Sequence, residues 1–86
     1  MTGPGERDRI LAVDDAVETL EVIRRNLTAA GYEVYTTSSA SEALQMLDTS
    51  PVDLVVTDLK MPKVGGLDIV RHVRENLRDT EVMVIT

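Results

Sequence analysis

The segment LAVDDAVETLE, residues 11–21, places two adjacent acids between a short apolar run and a segment with helical spacing. The run at residues 10–13 (ILAV) predicts a strand, and apolar residues then recur near helical spacing as far as Ala30. Gly31 follows at the position where a left-handed residue ends a helix. A strand followed directly by a helix is the repeating unit of α/β folds.

The same unit occurs a second time directly downstream. Residues 33–37 (EVYTT) are rich in β-branched and aromatic side chains, which predicts a second strand. Ser39, followed three residues later by Glu42, is a capping-box pattern and predicts the start of the helix SEALQML. Two consecutive strand–helix units favour a parallel sheet.

A third unit and a final strand complete the pattern. DLVVTD, residues 53–58, predicts the third strand, and helical spacing returns from Leu67 to Leu77 with His72 on its solvated, polar side. EVMVIT, residues 81–86, predicts the fourth strand. The runs LVV and VMVI are apolar without alternation, which is typical of strands covered on both faces by helices. The predicted class is α/β with a doubly wound parallel sheet.

Composition limits the function classes. The 86 residues carry a formal net charge of −6 and no cysteine, which predicts one small domain without disulfides or thiolate metal sites. No apolar run approaches the ~20 residues of a membrane span, and the scattered basic residues argue against direct nucleic-acid binding. Residues 1–8 are expected to form a flexible tail, and a cytoplasmic location is expected.

Acids and a hydroxyl follow the predicted strands. Right-handed strand–helix units bring the carboxyl ends of parallel strands to one edge, so Asp14, Asp15, Asp58 and Thr86 are expected there together. Carboxylates about 5 Å apart repel by on the order of 3 kcal/mol per pair at an effective dielectric near 20. A hard divalent cation such as Mg²⁺ would relieve this repulsion through oxygen ligands. The structural alternative is that Asp14 or Asp15 only caps the following helix. One acid could both cap the helix and bind a cation.

The motifs VDD (13–15), TDLKMP (57–62) and VMVIT (82–86) together resemble the receiver domain of bacterial two-component response regulators, over residues 9–86. The resemblance implies a flavodoxin-like sheet with strand order 2-1-3-4-5. This chain ends after the fourth strand, so it is expected to be an incomplete receiver with order 2-1-3-4, without the fifth strand, the last two helices and the family lysine. DLKMP and GYEV further resemble sigma-54-dependent activators, which implies a transcription-regulating output domain in the parent protein.

The resemblance also implies site roles. Asp58 would accept a phosphoryl group from a sensor histidine kinase, and Mg²⁺ would be bound by Asp15 directly, by Asp14 through water, and by Asp58 and the backbone carbonyl of Lys60. Thr86 would contact the phosphoryl group through its hydroxyl and act as the switch residue. Such a module is a binding and switching device rather than an enzyme.

Two other function classes stay open. A truncated receiver without the family lysine could be an oligomerising structural unit that takes up no phosphate. A Mg²⁺-dependent phosphohydrolase of the haloacid dehalogenase type also carries an Asp nucleophile at a strand end, but it needs a second Asp where this chain has Lys60. A homodimer formed through the edge of the fourth strand or through the uncovered sheet is expected, because exposed strand edges favour pairing.

Overall fold

The computed structural model describes residues 8–58, 65–77 and 79–85. In this part of the chain, four strands and three helices alternate. The elements are β1 (Arg9–Val13), α1 (Val17–Ala29), β2 (Glu33–Thr37), α2 (Ala40–Thr49), β3 (Leu54–Thr57), α3 (Gly66–Asn76) and β4 (Glu81–Val84). The predicted α/β class and the predicted order of elements are confirmed.

All neighbouring strands pair in parallel, in the order β2-β1-β3-β4. The order 2-1-3-4 predicted from the family resemblance is therefore confirmed. Val13 lies opposite both Thr37 and Thr57, and Thr57 lies opposite Val84. Because these residues end their strands at the same level, the residues that follow them share one edge of the sheet.

The core lies on the face of the sheet that α2 and α3 cover. Its buried members are Leu11, Val13, Ala40, Ala43, Leu47, Val52, Val55, Ile69 and Val73. Successive strand side chains point to opposite faces, so Leu11 and Val13 join this cluster while Ile10 and Ala12 point the other way. Helix α1 contacts β1 and β2, and it buries Leu20.

Two helix boundaries show how local sequence becomes structure. Gly31 has a φ of 101°, so the predicted left-handed stop after α1 is confirmed, and a residue with a Cβ would be strained there. At α2, the Ser39 hydroxyl accepts the backbone N–H of Glu42 at 3.2 Å. In a full capping box the Glu42 carboxylate would accept the Ser39 N–H. Here the Thr37 hydroxyl oxygen accepts that N–H, and the Thr37 hydroxyl donates to the Glu42 carboxylate at 2.7 Å.

The environments of β4 and His72 differ from the sequence-based expectation. The side chains of Met83 and Val84 are 53% and 41% exposed, so the run VMVI is not covered on both faces by the described residues. His72 is half-buried rather than fully solvated, and its Nε2 lies 3.1 Å from Oδ1 of Asp48 on α2. Helical spacing shows which face of a helix is polar, but it does not show that this face meets another helix.

No helix in the described segments is long and apolar enough to cross a membrane.

Candidate metal centre

Three acids meet at the carboxyl edge of the sheet. One carboxylate oxygen from each of Asp14, Asp15 and Asp58 lies within 4.8 Å of the other two. Asp14 is buried, Asp58 is half-buried and Asp15 is exposed. The structure therefore brings together the three carboxylates that the sequence pattern placed at strand ends.

Strand pairing determines where these acids lie. The hydrogen-bonding ladder continues one residue beyond each strand, since the Asp14 N–H donates to the Thr37 carbonyl at 3.3 Å and the Asp58 N–H donates to the Val13 carbonyl at 3.1 Å. Both acids are thus held by backbone bonds directly past β1 and β3. Neighbouring parallel strands at this spacing place the two side chains within reach of one ion.

Asp14 also has a structural role. Its Oδ1 accepts the backbone N–H of Ala16 at 2.9 Å, and Ala16 is the N-cap of α1, without a side-chain cap of its own. The carboxylate of Asp14 therefore stabilises the turn by which the chain leaves β1 and enters α1. Neither Asp14 nor Asp15 is the N-cap of α1, so the alternative that one of them only caps this helix is wrong, although Asp14 supports the turn that precedes it.

The donor set fits a hard divalent cation. All three groups are carboxylates, and Mg²⁺ prefers oxygen ligands at about 2.1 Å, which puts opposite ligands about 4.2 Å apart. The carboxylate oxygens lie up to 4.8 Å apart, so a small side-chain rotation, or one water between an acid and the ion, would allow all three acids to bind it. Three anions held this close also repel one another, so a cation at this edge removes an unfavourable interaction.

Two predicted site residues lie outside the described residues. These are Lys60, whose backbone carbonyl is an expected metal ligand, and Thr86, the expected switch residue. Within the described part, the N–H of Ile85 donates to the carbonyl of Thr57 at 2.9 Å. This bond fixes the register of β4 against β3 as far as residue 85.

Thr57 is a residue beside the site that motif spacing alone did not indicate. Its side chain is fully buried, and its hydroxyl donates to the backbone carbonyl of Asp58 at 3.2 Å. The sequence does contain an indication of its role, because Thr57 is the one polar residue of the otherwise apolar strand LVVT. A buried hydroxyl needs a partner, so a polar residue at this position in a core strand indicates a specific bond.

Comparison with known proteins places this geometry in a family. The family model described as the response regulator receiver domain matches residues 10–86. Among relatives, response regulator MprA of Mycobacterium leprae is 38% identical over 78 residues, covering 91% of this chain and 34% of that protein. The alkaline phosphatase synthesis transcriptional regulatory protein PhoP of Bacillus subtilis is 32% identical, covering 91% and 32% respectively. The chain thus spans about a third of the length of these relatives.

Solved structures agree with this match. Response regulator TrrA of Thermotoga maritima, in complex with Mg²⁺-BeF, superposes with a TM-score of 0.85 at 32% identity, covering 90% of this chain and 67% of that chain. A complex of TrrA with the histidine kinase ThkA matches with a TM-score of 0.85 at 33% identity, covering 92% and 68%. Since a parallel 2-1-3-4 sheet, an acidic carboxyl edge and a match over residues 10–86 coincide, the chain belongs to the response regulator receiver domain family.

Proposed function

We propose that this domain accepts a phosphoryl group on Asp58 from a sensor histidine kinase, with Mg²⁺ held by Asp14, Asp15 and Asp58. The observation that carries the proposal is the cluster of three carboxylates within 4.8 Å at the carboxyl edge of the sheet. Two findings on TrrA support it: one structure holds Mg²⁺-BeF, and another is a complex with the kinase ThkA. The backbone carbonyl of Lys60 as a ligand and the Thr86 hydroxyl as the phosphoryl contact belong to the same proposal.

The chemistry follows from the residue types. A carboxylate oxygen of Asp58 attacks phosphorus and forms a new P–O bond. The bond from phosphorus to the kinase imidazole nitrogen breaks, and its electron pair stays on that nitrogen. Mg²⁺, when bound, neutralises the charge that accumulates between the anionic donor and the acids. Asp58 is half-buried rather than fully enclosed, which is compatible with attack on an incoming donor. The acyl phosphate adds charge at a strand end, which can bias a two-state element.

The domain acts as a signalling module rather than as an enzyme on external substrates. A phosphohydrolase of the haloacid dehalogenase type needs a second acid two residues after the nucleophile, and that position is Lys60. Turnover of p-nitrophenyl phosphate distinguishes the two, and we expect none above background. From the family likeness we also propose a cytoplasmic location and, in the parent protein, an output domain that regulates transcription, as in sigma-54-dependent activators.

Intact mass spectrometry tests the phosphoacceptor proposal. The chain is incubated with acetyl phosphate, once with Mg²⁺ and once with EDTA, and part of each sample is then treated with hydroxylamine. A single phosphoryl adduct that requires Mg²⁺ and is removed by hydroxylamine is expected, because an acyl phosphate is cleaved by that nucleophile. A folded chain without an adduct would instead favour the alternative of a structural unit that does not take up phosphate.

Asp14 and Asp15 are expected to respond differently to replacement by alanine. Both variants should lose Mg²⁺ affinity, which calorimetric titration measures. Asp14→Ala should also lower the free energy of unfolding by about 1 kcal/mol, since the hydrogen bond from the Ala16 N–H is lost. Asp15→Ala should leave stability unchanged or raise it, because it removes one repelling charge from an exposed position. Equal losses of stability in urea titrations of both variants would contradict this assignment.

We also propose that the chain forms a homodimer by antiparallel pairing of two β4 strands. In the described sheet β4 is an edge strand, and it exposes Met83 and Val84. Pairing centred on Met83 would place Glu81 opposite Ile85, so that like charges do not face each other across the interface. Such a pairing would satisfy backbone groups on the outer edge of β4 and cover its apolar side chains.

Sedimentation equilibrium tests the dimer. Met83→Lys should shift the association equilibrium toward monomer, because two lysines would meet at the centre of the pairing. Val22→Lys on α1 is a matched control, since Val22 is also exposed but lies on a helix at the other side of the sheet. A monomeric wild-type chain at high concentration would rule the dimer out without affecting the phosphoacceptor proposal.

A further inference from the structure

We infer that Thr57 is a positioning residue for Asp58: its hydroxyl holds the Asp58 backbone carbonyl and so fixes the direction of the acceptor carboxylate. The inference rests on the proposed phosphoacceptor role of Asp58. Thr57 is fully buried, and its Oγ1 lies 3.2 Å from the Asp58 carbonyl oxygen. Its hydroxyl is bonded to the Asp58 backbone rather than to the carboxylate cluster, so it would act through its neighbour.

Packing alone does not explain the hydroxyl. Valine has nearly the shape of threonine, and the two residues before Thr57, Val55 and Val56, are buried valines. A hydroxyl placed in this core loses its hydration and is tolerated only with a hydrogen-bond partner. The partner here is the backbone carbonyl of the residue that carries the proposed chemistry.

The bond completes the attachment of the Asp58 backbone. On its amino side, the Asp58 N–H donates to the Val13 carbonyl at 3.1 Å. On its carbonyl side, the Thr57 hydroxyl is the donor. Restraining both peptide groups limits the φ and ψ torsion angles of Asp58 and hence the direction in which its Cα–Cβ bond leaves the sheet. From this backbone position the carboxylate lies within 4.8 Å of those of Asp14 and Asp15.

Thr57 is itself held firmly enough to serve this role. It lies opposite Val13 of β1 and Val84 of β4, and its own carbonyl accepts the Ile85 N–H at 2.9 Å. Three paired strands therefore support the residue that supports Asp58. Groups that orient metal ligands in this way commonly affect metal affinity when they are removed.

The test is Thr57→Val, with Thr80→Val as the matched control. The Thr80 hydroxyl also donates to a backbone carbonyl, that of Val52 at 2.7 Å, but it lies before β4, at the opposite end of the sheet from the acids. Each variant is titrated with Mg²⁺ by calorimetry, and the rate of adduct formation from acetyl phosphate is measured at saturating Mg²⁺. For Thr57→Val we expect about tenfold weaker Mg²⁺ binding and a slower adduct rate. For Thr80→Val we expect wild-type values.

A second pair of variants keeps the test decisive if Thr57→Val folds poorly. Thr57→Ser and Thr57→Ala differ from each other essentially by the hydroxyl, and serine is expected to restore the Mg²⁺ affinity that alanine loses. The inference is overturned if Thr57→Val binds Mg²⁺ as tightly as wild type, or if the serine and alanine variants bind it equally well. It is also overturned if Thr57→Val and Thr80→Val lose the same affinity. A folded wild type that binds no Mg²⁺ and forms no adduct would instead overturn the proposed function, and the inference with it.

Discussion

The Asp58→Asn variant is expected to lose the Mg²⁺-dependent adduct that wild-type chain forms with acetyl phosphate. The neutral amide offers no anionic oxygen to attack phosphorus, and it removes one of the three carboxylates that would hold the cation. Adduct formation should fall to below about one hundredth of the wild-type rate, in line with the removal of other nucleophiles. Intact mass spectrometry over a time course measures the rate.

Folding must be separated from chemistry in this variant. Asp58→Asn keeps the size of the side chain, and thermal unfolding followed by circular dichroism checks that the variant is folded before adduct rates are compared. Asp53→Asn is a matched control, since it is the same change at an exposed acid that precedes β3 and accepts the Arg9 N–H at 2.8 Å. This control should keep the adduct. An adduct that persists in Asp58→Asn and maps to another acid would disprove the assignment of the acceptor.

The second large effect is expected at Ile69. This side chain is completely buried in the cluster between α3 and the sheet. Replacement by alanine removes apolar contacts and leaves a cavity, which should lower the free energy of unfolding by about 3 kcal/mol. A domain of this size is stable by on the order of 5–10 kcal/mol, so the loss is a large part of the total. Urea unfolding followed by far-UV circular dichroism measures it.

Leu67→Ala provides the comparison within the same helix. Leu67 lies two residues earlier on α3 and is 58% exposed, so the same kind of truncation creates no cavity there. Its cost should stay within about 0.5 kcal/mol, as for most surface substitutions. Similar losses in the two variants would show that the cluster around Ile69 is not the stabilising core.

Much of the fold follows from local patterns in the chain. Apolar runs of four or five residues alternating with helical spacing predict the strand–helix units, and the parallel sheet then follows from the handedness of the crossovers. The same rule explains why acids far apart in sequence, at positions 14 and 58, could be assigned to one edge. Boundaries were less accurate: β1 begins at Arg9 and α3 at Gly66, each one residue earlier than predicted, because terminal residues lack the full hydrogen-bond pattern.

The α/β class and the acidic edge follow from the sequence alone, because period and crossover handedness are properties of the chain itself. The motif spacing indicates the family, and the strand order was predicted only through that resemblance. Other features depend on contacts made only after packing. The approach of His72 to Asp48 joins α3 to α2, so it depends on how the two helices pack. The bonds of Thr57 to the Asp58 carbonyl and of Asp14 to the Ala16 N–H join near neighbours in sequence, but they depend on backbone and side-chain torsion angles that the packed strands impose. The spacing of residues predicts which face of a helix or strand a side chain lies on. Whether two groups form a hydrogen bond depends on distances of a few tenths of an ångström, and only the tertiary structure sets these.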